Sequence, residues 1–311
     1  MNKKAIRDAL GQTLSWFSSS LAIMVCVGII LYIFIKGFSQ LNLSFIFTEP
    51  KPTFKEELSG GISTPIIGTF VLTFIGILVA LPWALSTSIY LAEYSQRNPL
   101  AKYFRLGIDV LSGVPTIVIA IFGLAIFSNP FFGFLSSMVE GVEGINRAFG
   151  RSFFIAGLTM AVMILPFIIK TCEEAIKSVP QSYREGSLAM GASKWHTITR
   201  IVLPSATKGI VTGVVLGMGR IIGDTAIVML TLGATLRMTG IQPWWAPQNW
   251  ISTLRNTGST LTSYIYFASP AGEGNMTGKA FGASVVLIVI IILLNLFTDV
   301  LGNLNKTVRE E

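Results

Sequence analysis

Six apolar runs, each long enough to cross a membrane, constrain this chain more than any other feature. They fall near residues 14–36, 64–91, 104–128, 152–175, 202–232 and 279–303. About 20 predominantly apolar residues in a helix cover the roughly 30 Å hydrocarbon core of a bilayer. Charged residues make up only 13% of the 311, whereas a soluble domain carries about a quarter, and mean hydropathy is +0.65. The expected fold class is therefore an all-α integral membrane protein with about six transmembrane helices. Pro115 and Pro166 fall inside the third and fourth runs and are tolerable where neighbouring helices satisfy the freed backbone groups.

The ends and loops give an orientation. Lys3, Lys4 and Arg7 precede the first run as they would in a signal peptide. Leu21–Ile35 ends in Lys36 without an Ala-x-Ala site, so an uncleaved first span is expected. Fourteen Lys and Arg side chains, among them Arg97, Lys102, Arg105, Lys170, Lys177 and Arg309, fall on the side of both termini. Eight fall on the other side, where Glu49, Glu56, Glu57, Glu140, Glu143 and Glu273 offset several of them. The bias makes both termini cytoplasmic. It also accounts for the net charge of +7 without a nucleic-acid partner. Residues 37–63, 129–151 and 233–278 then face outward, with Trp244, Trp245 and Trp250 expected at the outer headgroups. Cys26 and Cys172 lie in or beside apolar runs and read as packing residues, not as a disulfide.

The stretch between the fourth and fifth runs is different. It carries Glu185, Lys194, His196 and Arg200 in a chain poor in charge. Pro180 should stop the preceding helix, and a short polar helix should run from about Ser182 to Met190. Gly191 suits the left-handed cap that ends it, and Ser193 suits the N-cap of the next helix. That next helix has Trp195, Ile198 and Ile201 on one side, with Lys194 and Arg200 placed to snorkel. By composition this is an amphipathic linker on the membrane surface.

Its spacing says more. Glu185-Gly186-Ser187, then Gly191, then Ile201-Val202-Leu203-Pro204 resembles the EAA motif of ABC-transporter permeases, which reads E-A-A, three residues, G, nine residues, I-x-L-P. Gly186 and Ser187 keep the size of the two alanines but not their identity. Gly68-Thr69, Pro82, "IYLAEY" (Ile89–Tyr94), "SGVPTIVIAIFGL" (Ser112–Leu124), "TCEEAIKSVP" (Thr171–Pro180) and "GRIIGDTA" (Gly219–Ala226) are similar to permeases of phosphate-specific (Pst-type) ABC importers. "TCEEAIKSVP" and "PQNWISTL…TLTSYIYFASP" are closer to the PstA-like subunit than to its PstC-like partner. The resemblance implies an ABC type I importer permease fold in a bacterial inner membrane. It implies a single transmembrane permease domain over 1–311, with a core at about 60–305 and a coupling segment at 182–204. Its coupling residues would be Glu185, Gly186, Ser187, Gly191, Ile201, Leu203 and Pro204, docked on a separate ATPase. The partners implied are a PstC-like second permease, a PstB-like ATPase dimer and a PstS-like phosphate-binding protein. The ATP and Mg would be used by the ATPase, and this chain would bind no cofactor and catalyse nothing.

The fifth run is rich in glycine. Gly209, Gly213 and Gly217 recur every four residues and line one helical face, where small residues let another backbone approach. On a continuous helix, Arg220 and Asp224 fall within about 80° of that arc. An Arg within a span costs on the order of 2.5–3.5 kcal/mol, so it is expected to meet a polar cavity or a partner. Asp224 is the nearest partner. The pair reads as a structural ion pair or as an anion-pathway arginine held by Asp224, and the guanidinium fork fits phosphate oxygens. The Pst resemblance adds Lys170 to this pathway. Asp224 stands where that family usually has Glu, and Lys170 where the basic residue is often Arg.

Other signals fail. "GEGNMTGKA" (Gly272–Ala280) misses the P-loop pattern at Glu273 and Ala280, so this chain lacks that route to ATP. His196 is the only histidine, which excludes a His-based metal cluster or a Ser-His-Asp triad. The alternatives are a permease for another oxyanion such as sulfate or molybdate, or a secondary transporter working alone. The latter would need several intramembrane carboxylates or inverted repeats. Only Asp224 lies in mid-span, with Asp109 and Asp299 near the cytoplasmic ends of theirs.

Overall fold

Helices account for nearly every described element of the structure, which is a computed structural model describing residues 3–51, 53, 58–95, 98, 100–140, 146–233 and 235–307. Arg97, Arg309, Glu56, Glu57 and Glu143, used above to orient the chain, lie outside the described residues. In chain order the helices begin with α1 (Lys3–Gly37), α2 (Leu43–Phe47), α3 (Ser63–Ile89), α4 (Leu100–Ser112), α5 (Thr116–Phe127) and α6 (Phe153–Lys177). They continue with α7 (Gln181–Ala189), α8 (Lys194–Thr197), α9 (Leu203–Gly223), α10 (Trp250–Arg255), α11 (Leu261–Ala268) and α12 (Thr277–Thr307). A small antiparallel hairpin, β1 (Met138–Glu140) with β2 (Asn146–Ala148), lies between α5 and α6.

The core forms where α3, α6 and α9 meet. Leu72, Ala80 and Ala84 of α3 pack with Ala156, Met160, Ile164 and Ile168 of α6 and Ile221 of α9. Small residues set the approach, and a Cβ at Gly76 would come within 2.8 Å of Ile221 Cδ1. Hydroxyls in these helices donate to carbonyls one turn back: Thr69 to Pro65 (2.8 Å), Thr73 to Thr69 (2.7 Å), Thr159 to Ile155 (2.8 Å) and Thr171 to Phe167 (2.6 Å). An apolar environment offers these groups no water, so the local carbonyl is their partner. By contrast α1 is almost wholly exposed and rests on α12, with Gly37 against Val285 and Tyr32 edge-on to Phe281 at 5.6 Å.

Five helices are long and apolar enough to cross a membrane, and six if a bent pair is taken as one span. That pair corrects the expectation of one continuous helix over 104–128. α4 and α5 meet at 99° across Gly113-Val114-Pro115. Pro115 is extended (φ −59°, ψ 138°) and starts α5 instead of continuing α4. Proline donates no N–H and pushes the residue before it away from helix, and the adjacent glycine resists nothing. Pro82 and Pro166 lie inside α3 and α6, which run on through them.

The expected fifth span over 202–232 is also interrupted. α9 ends at Gly223, Asp224 is extended (φ −79°, ψ 130°), and helical geometry resumes to Leu232. The tryptophans of the 233–278 region cluster together. Trp244 and Trp245 meet edge to face at 5.6 Å, and Trp250 Nε1 donates to Trp245 O at 2.9 Å.

Candidate functional site

Two groups of residues stand out from the helical frame: the segment around α7, and polar side chains gathered at the breaks of the third and fifth spans.

At the first, Pro180 is extended (φ −54°, ψ 138°), which separates α6 from α7. Gly191 has φ +82° and ends the short helix in the left-handed conformation that glycine adopts without strain. Ser193 then caps the next helix, its Oγ accepting from His196 N at 3.3 Å. Glu185 and Gly186 are exposed. Ser187 is buried, and its hydroxyl shares a 2.8 Å hydrogen bond with that of Thr197. Tyr183, Leu188 and Met190 are exposed, Met190 by 87%.

The helix after Ser193 is not the separate surface helix that its polarity suggests. α8, a π-helical turn at Ile198–Val202 and α9 form one 30-residue element, Lys194–Gly223. Trp195 is exposed and Ile198 buried, so the two do not share a membrane-facing side. Ile201 and Leu203 are half-buried, and Pro204 sits just past the π-helical turn, at the start of α9. Lys194 does not snorkel. Its Nζ donates to Glu93 O and lies 4.4 Å from the Tyr94 ring centre.

α7 is tied to the π-helical turn after α3, Tyr90–Tyr94, by a pair that sequence reading passes over. Arg184 Nε and Nη2 donate to Glu93 Oε1 at 3.0 and 2.8 Å, with 13% and 7% of the two side chains exposed. Arg184 also donates to Val179 O (2.6 Å) and Ile176 O (2.8 Å). Removing one partner of such a buried pair typically costs about 3–5 kcal/mol. The only local hint is a carboxylate inside the apolar "IYLAEY", since the partners lie 91 residues apart.

The second group is polar and lies at the breaks. Lys170 Nζ pairs with Asp109 Oδ1 at 2.7 Å and donates to Ser112 Oγ at 3.2 Å, so its present partners are at the end of α4. Asp224 Oδ1 accepts from Ile227 N at 2.8 Å, and its carboxylate lies beside Thr116, the first residue of α5. The bent pair α4–α5 thus touches Lys170 on one side of its corner and Asp224 on the other.

Arg220 is exposed and makes no hydrogen bond or ion pair among the described residues. Asp224 acts on it through space only. The expected Arg220–Asp224 ion pair is therefore absent, because Asp224 has left the helix to cap the next one. Lys208, Thr212, Leu216 and Arg220, each four residues from the next, form an exposed stripe on α9.

The glycine ladder faces elsewhere. A Cβ at Gly209 would meet Ala175 Cβ at 2.6 Å, at Gly213 Thr171 Cβ at 2.9 Å, and at Gly217 Ile168 Cδ1 at 3.0 Å. All three partners are on α6. The ladder packs α9 against α6, so the backbone that these small residues let approach belongs to this chain.

Spans broken at polar corners and a short, largely exposed helix tied to their ends define a polytopic membrane permease. The chain belongs to the family described as binding-protein-dependent transport system inner membrane component, whose model matches residues 84–306. It is 31% identical over 307 residues to the probable ABC transporter permease protein YqgI of Bacillus subtilis (strain 168), covering 98% of this chain and 97% of that one. It is 29% identical over 288 residues to the phosphate transport system permease protein PstA of Mycobacterium leprae (strain TN), covering 92% and 85%. Its fold is that of type I ABC importer permeases. A bacterial alginate ABC transporter in complex with its pentasaccharide-bound periplasmic protein superposes with a TM-score of 0.62 at 17% identity, over 95% of this chain and 94% of that one. An inward-facing methionine ABC transporter, MetNI, gives 0.53 at 18%, over 79% and 94%.

Proposed function

We propose that this chain is the PstA-like permease subunit of an ATP-driven phosphate importer, lining the anion pathway together with a PstC-like permease. α7 would dock on an ATPase dimer, which binds and hydrolyses ATP, while this chain catalyses no reaction. A phosphate-binding protein would deliver the anion at the outer face. Both termini would be cytoplasmic, which places α7 on the ATPase side.

The observation that carries the reading is the guanidinium of Arg220, which has no hydrogen bond or ion pair among the described residues. A bare cation within a span costs about 2.5–3.5 kcal/mol unless it meets a polar space or a counter-charge. An oxyanion passing along the exposed stripe of α9 supplies both, and the planar fork of donors suits a tetrahedral oxyanion. Lys170 and Asp224 flank the same region at the two sides of the α4–α5 corner. The similarity to PstA proteins supports phosphate as the anion.

The test is uptake by proteoliposomes holding the complete complex. ATP-dependent accumulation of radiolabelled phosphate, unaffected by excess sulfate or molybdate, is the expected result. Accumulation of sulfate or molybdate instead would reassign the substrate. Uptake without ATP or a binding protein would favour a secondary transporter.

A further inference from the structure

We propose that Glu93 is a positioning residue for transport, and that the π-helical turn it sits on, Tyr90–Tyr94, is the junction carrying α7 movement to the bent pair α4–α5. The inference rests on the reading of α7 as the ATPase-docking helix and deepens it.

Three basic side chains from three elements converge on this one turn. Arg184 of α7 binds the Glu93 carboxylate through two nitrogens. Lys194, at the start of α8, donates to the Glu93 carbonyl. Arg105 of α4 donates to Leu91 O at 3.1 Å and, through Nε and Nη2, to Glu173 Oε1 of α6 at 3.3 and 2.8 Å. Lys177 completes that second cluster at 2.6 Å from Glu173 Oε1. Both glutamates are buried, Glu93 to 9% exposure and Glu173 to 8%.

The π-helical geometry explains why the turn can serve three partners. Hydrogen bonding from i to i+5 shifts the carbonyl register by one residue, so carbonyls in such turns are re-aimed for outside donors, and π-turns recur at functional positions. The carbonyls of Leu91 and Glu93 are taken by Arg105 and Lys194. A displacement of α7 must either pull this turn or break a buried ion pair. Through Arg105 the turn pulls α4, whose far end holds Asp109 and Ser112 against Lys170. Arg184, the turn and Arg105 thus connect the docking helix to the polar corner, with α6 held along the way at Ile176 O, Glu173 and Lys170.

The experiment uses the full complex in proteoliposomes and measures phosphate taken up per ATP hydrolysed for Glu93→Gln, Glu93→Asp, Arg184→Lys and Arg105→Lys. A disulfide crosslink from an Ala189→Cys variant to the ATPase is measured beside it. Expected is an assembled Glu93→Gln complex that hydrolyses ATP within about twofold of normal but whose uptake per ATP falls roughly tenfold, the scale of change that residues on a coupling route produce. Glu93→Asp should recover part of the ratio. Arg184→Lys and Arg105→Lys, which keep charge and lose the fork, test the same route should Glu93→Gln fail to assemble. Loss of uptake and hydrolysis together, in proportion to the complex assembled, would make the turn a structural staple and overturn the proposal. An unchanged ratio with the crosslink present would also overturn it, leaving the docking reading intact. Absence of the crosslink in the unaltered complex would instead overturn the docking reading itself.

Discussion

Asp224 lies one residue past the helix that carries Arg220, and the two form no ion pair. Asp224 turns its carboxylate to Ile227 N and to Thr116. Arg220 is left at the C-terminal end of an exposed stripe on α9, with no hydrogen bond or ion pair among the described residues. Asp224 would therefore act on the shape of the proposed pathway more than on the charge of Arg220. Asp224→Asn, which can still accept at Oδ1, should keep the helix break and retain much of the uptake. Asp224→Ala should lose the cap, costing about 0.5–2 kcal/mol and most of the uptake. Equal loss in both variants would show that the charge is what matters.

The glycine ladder predicts opposite outcomes on two faces of one helix. Gly209→Leu puts bulk where Ala175 Cβ already lies 2.6 Å from a Cβ, and should destabilise the chain by about 1–3 kcal/mol. Gly219→Ala meets nothing within 4 Å and should be neutral or slightly stabilising. Unfolding midpoints of the two variants in detergent decide this, and equal midpoints would contradict the packing.

Gly191 tests the link between backbone conformation and coupling. No atom lies within 4 Å of a Cβ there, so a side chain meets no steric wall. Its φ of +82° is the obstacle, at roughly 1–2 kcal/mol for an L-residue. Asn tolerates this region, and a β-branched residue does not. Gly191→Asn should keep most uptake while Gly191→Val loses it, with the protein inserted in both cases. The same uptake from both would mean that the angle of α7 is immaterial.

Lys170 and Asp109 are 44% and 64% exposed in their side chains, so their pair contributes at most about 1 kcal/mol to stability. Lys170→Met should therefore leave the unfolding midpoint nearly unchanged and still reduce uptake severely. A large fall in the midpoint with normal uptake would make the residue structural.

What could be read from sequence depended on how far apart the cooperating residues lie. The Pro180 break, the Gly191 cap and the Ser193 N-cap were legible because each follows from one or two residues' own backbone preferences. The bend at Pro115 was not, since Pro82 and Pro166 lie in equally apolar runs and leave their helices continuous. Proline alone does not decide among the three; Gly113, two residues before Pro115, has no counterpart before Pro82 or Pro166. The arc placing Arg220 beside Asp224 assumed an unbroken helix, and Asp224 breaks it. Glu93 with Arg184, and Lys170 with Asp109, pair across 91 and 61 residues, a separation no periodicity reports.

The most direct test is phosphate uptake by the complete complex carrying Arg220→Gln, measured beside a pull-down of the assembled subunits. Arg220 is exposed and makes no hydrogen bond or ion pair among the described residues, so assembly should be normal. Uptake should fall below about a tenth of normal, with Arg220→Lys recovering only part, because an ammonium replaces a bidentate fork. Full uptake by Arg220→Gln would show that the anion passes elsewhere and that the pathway assigned here is wrong.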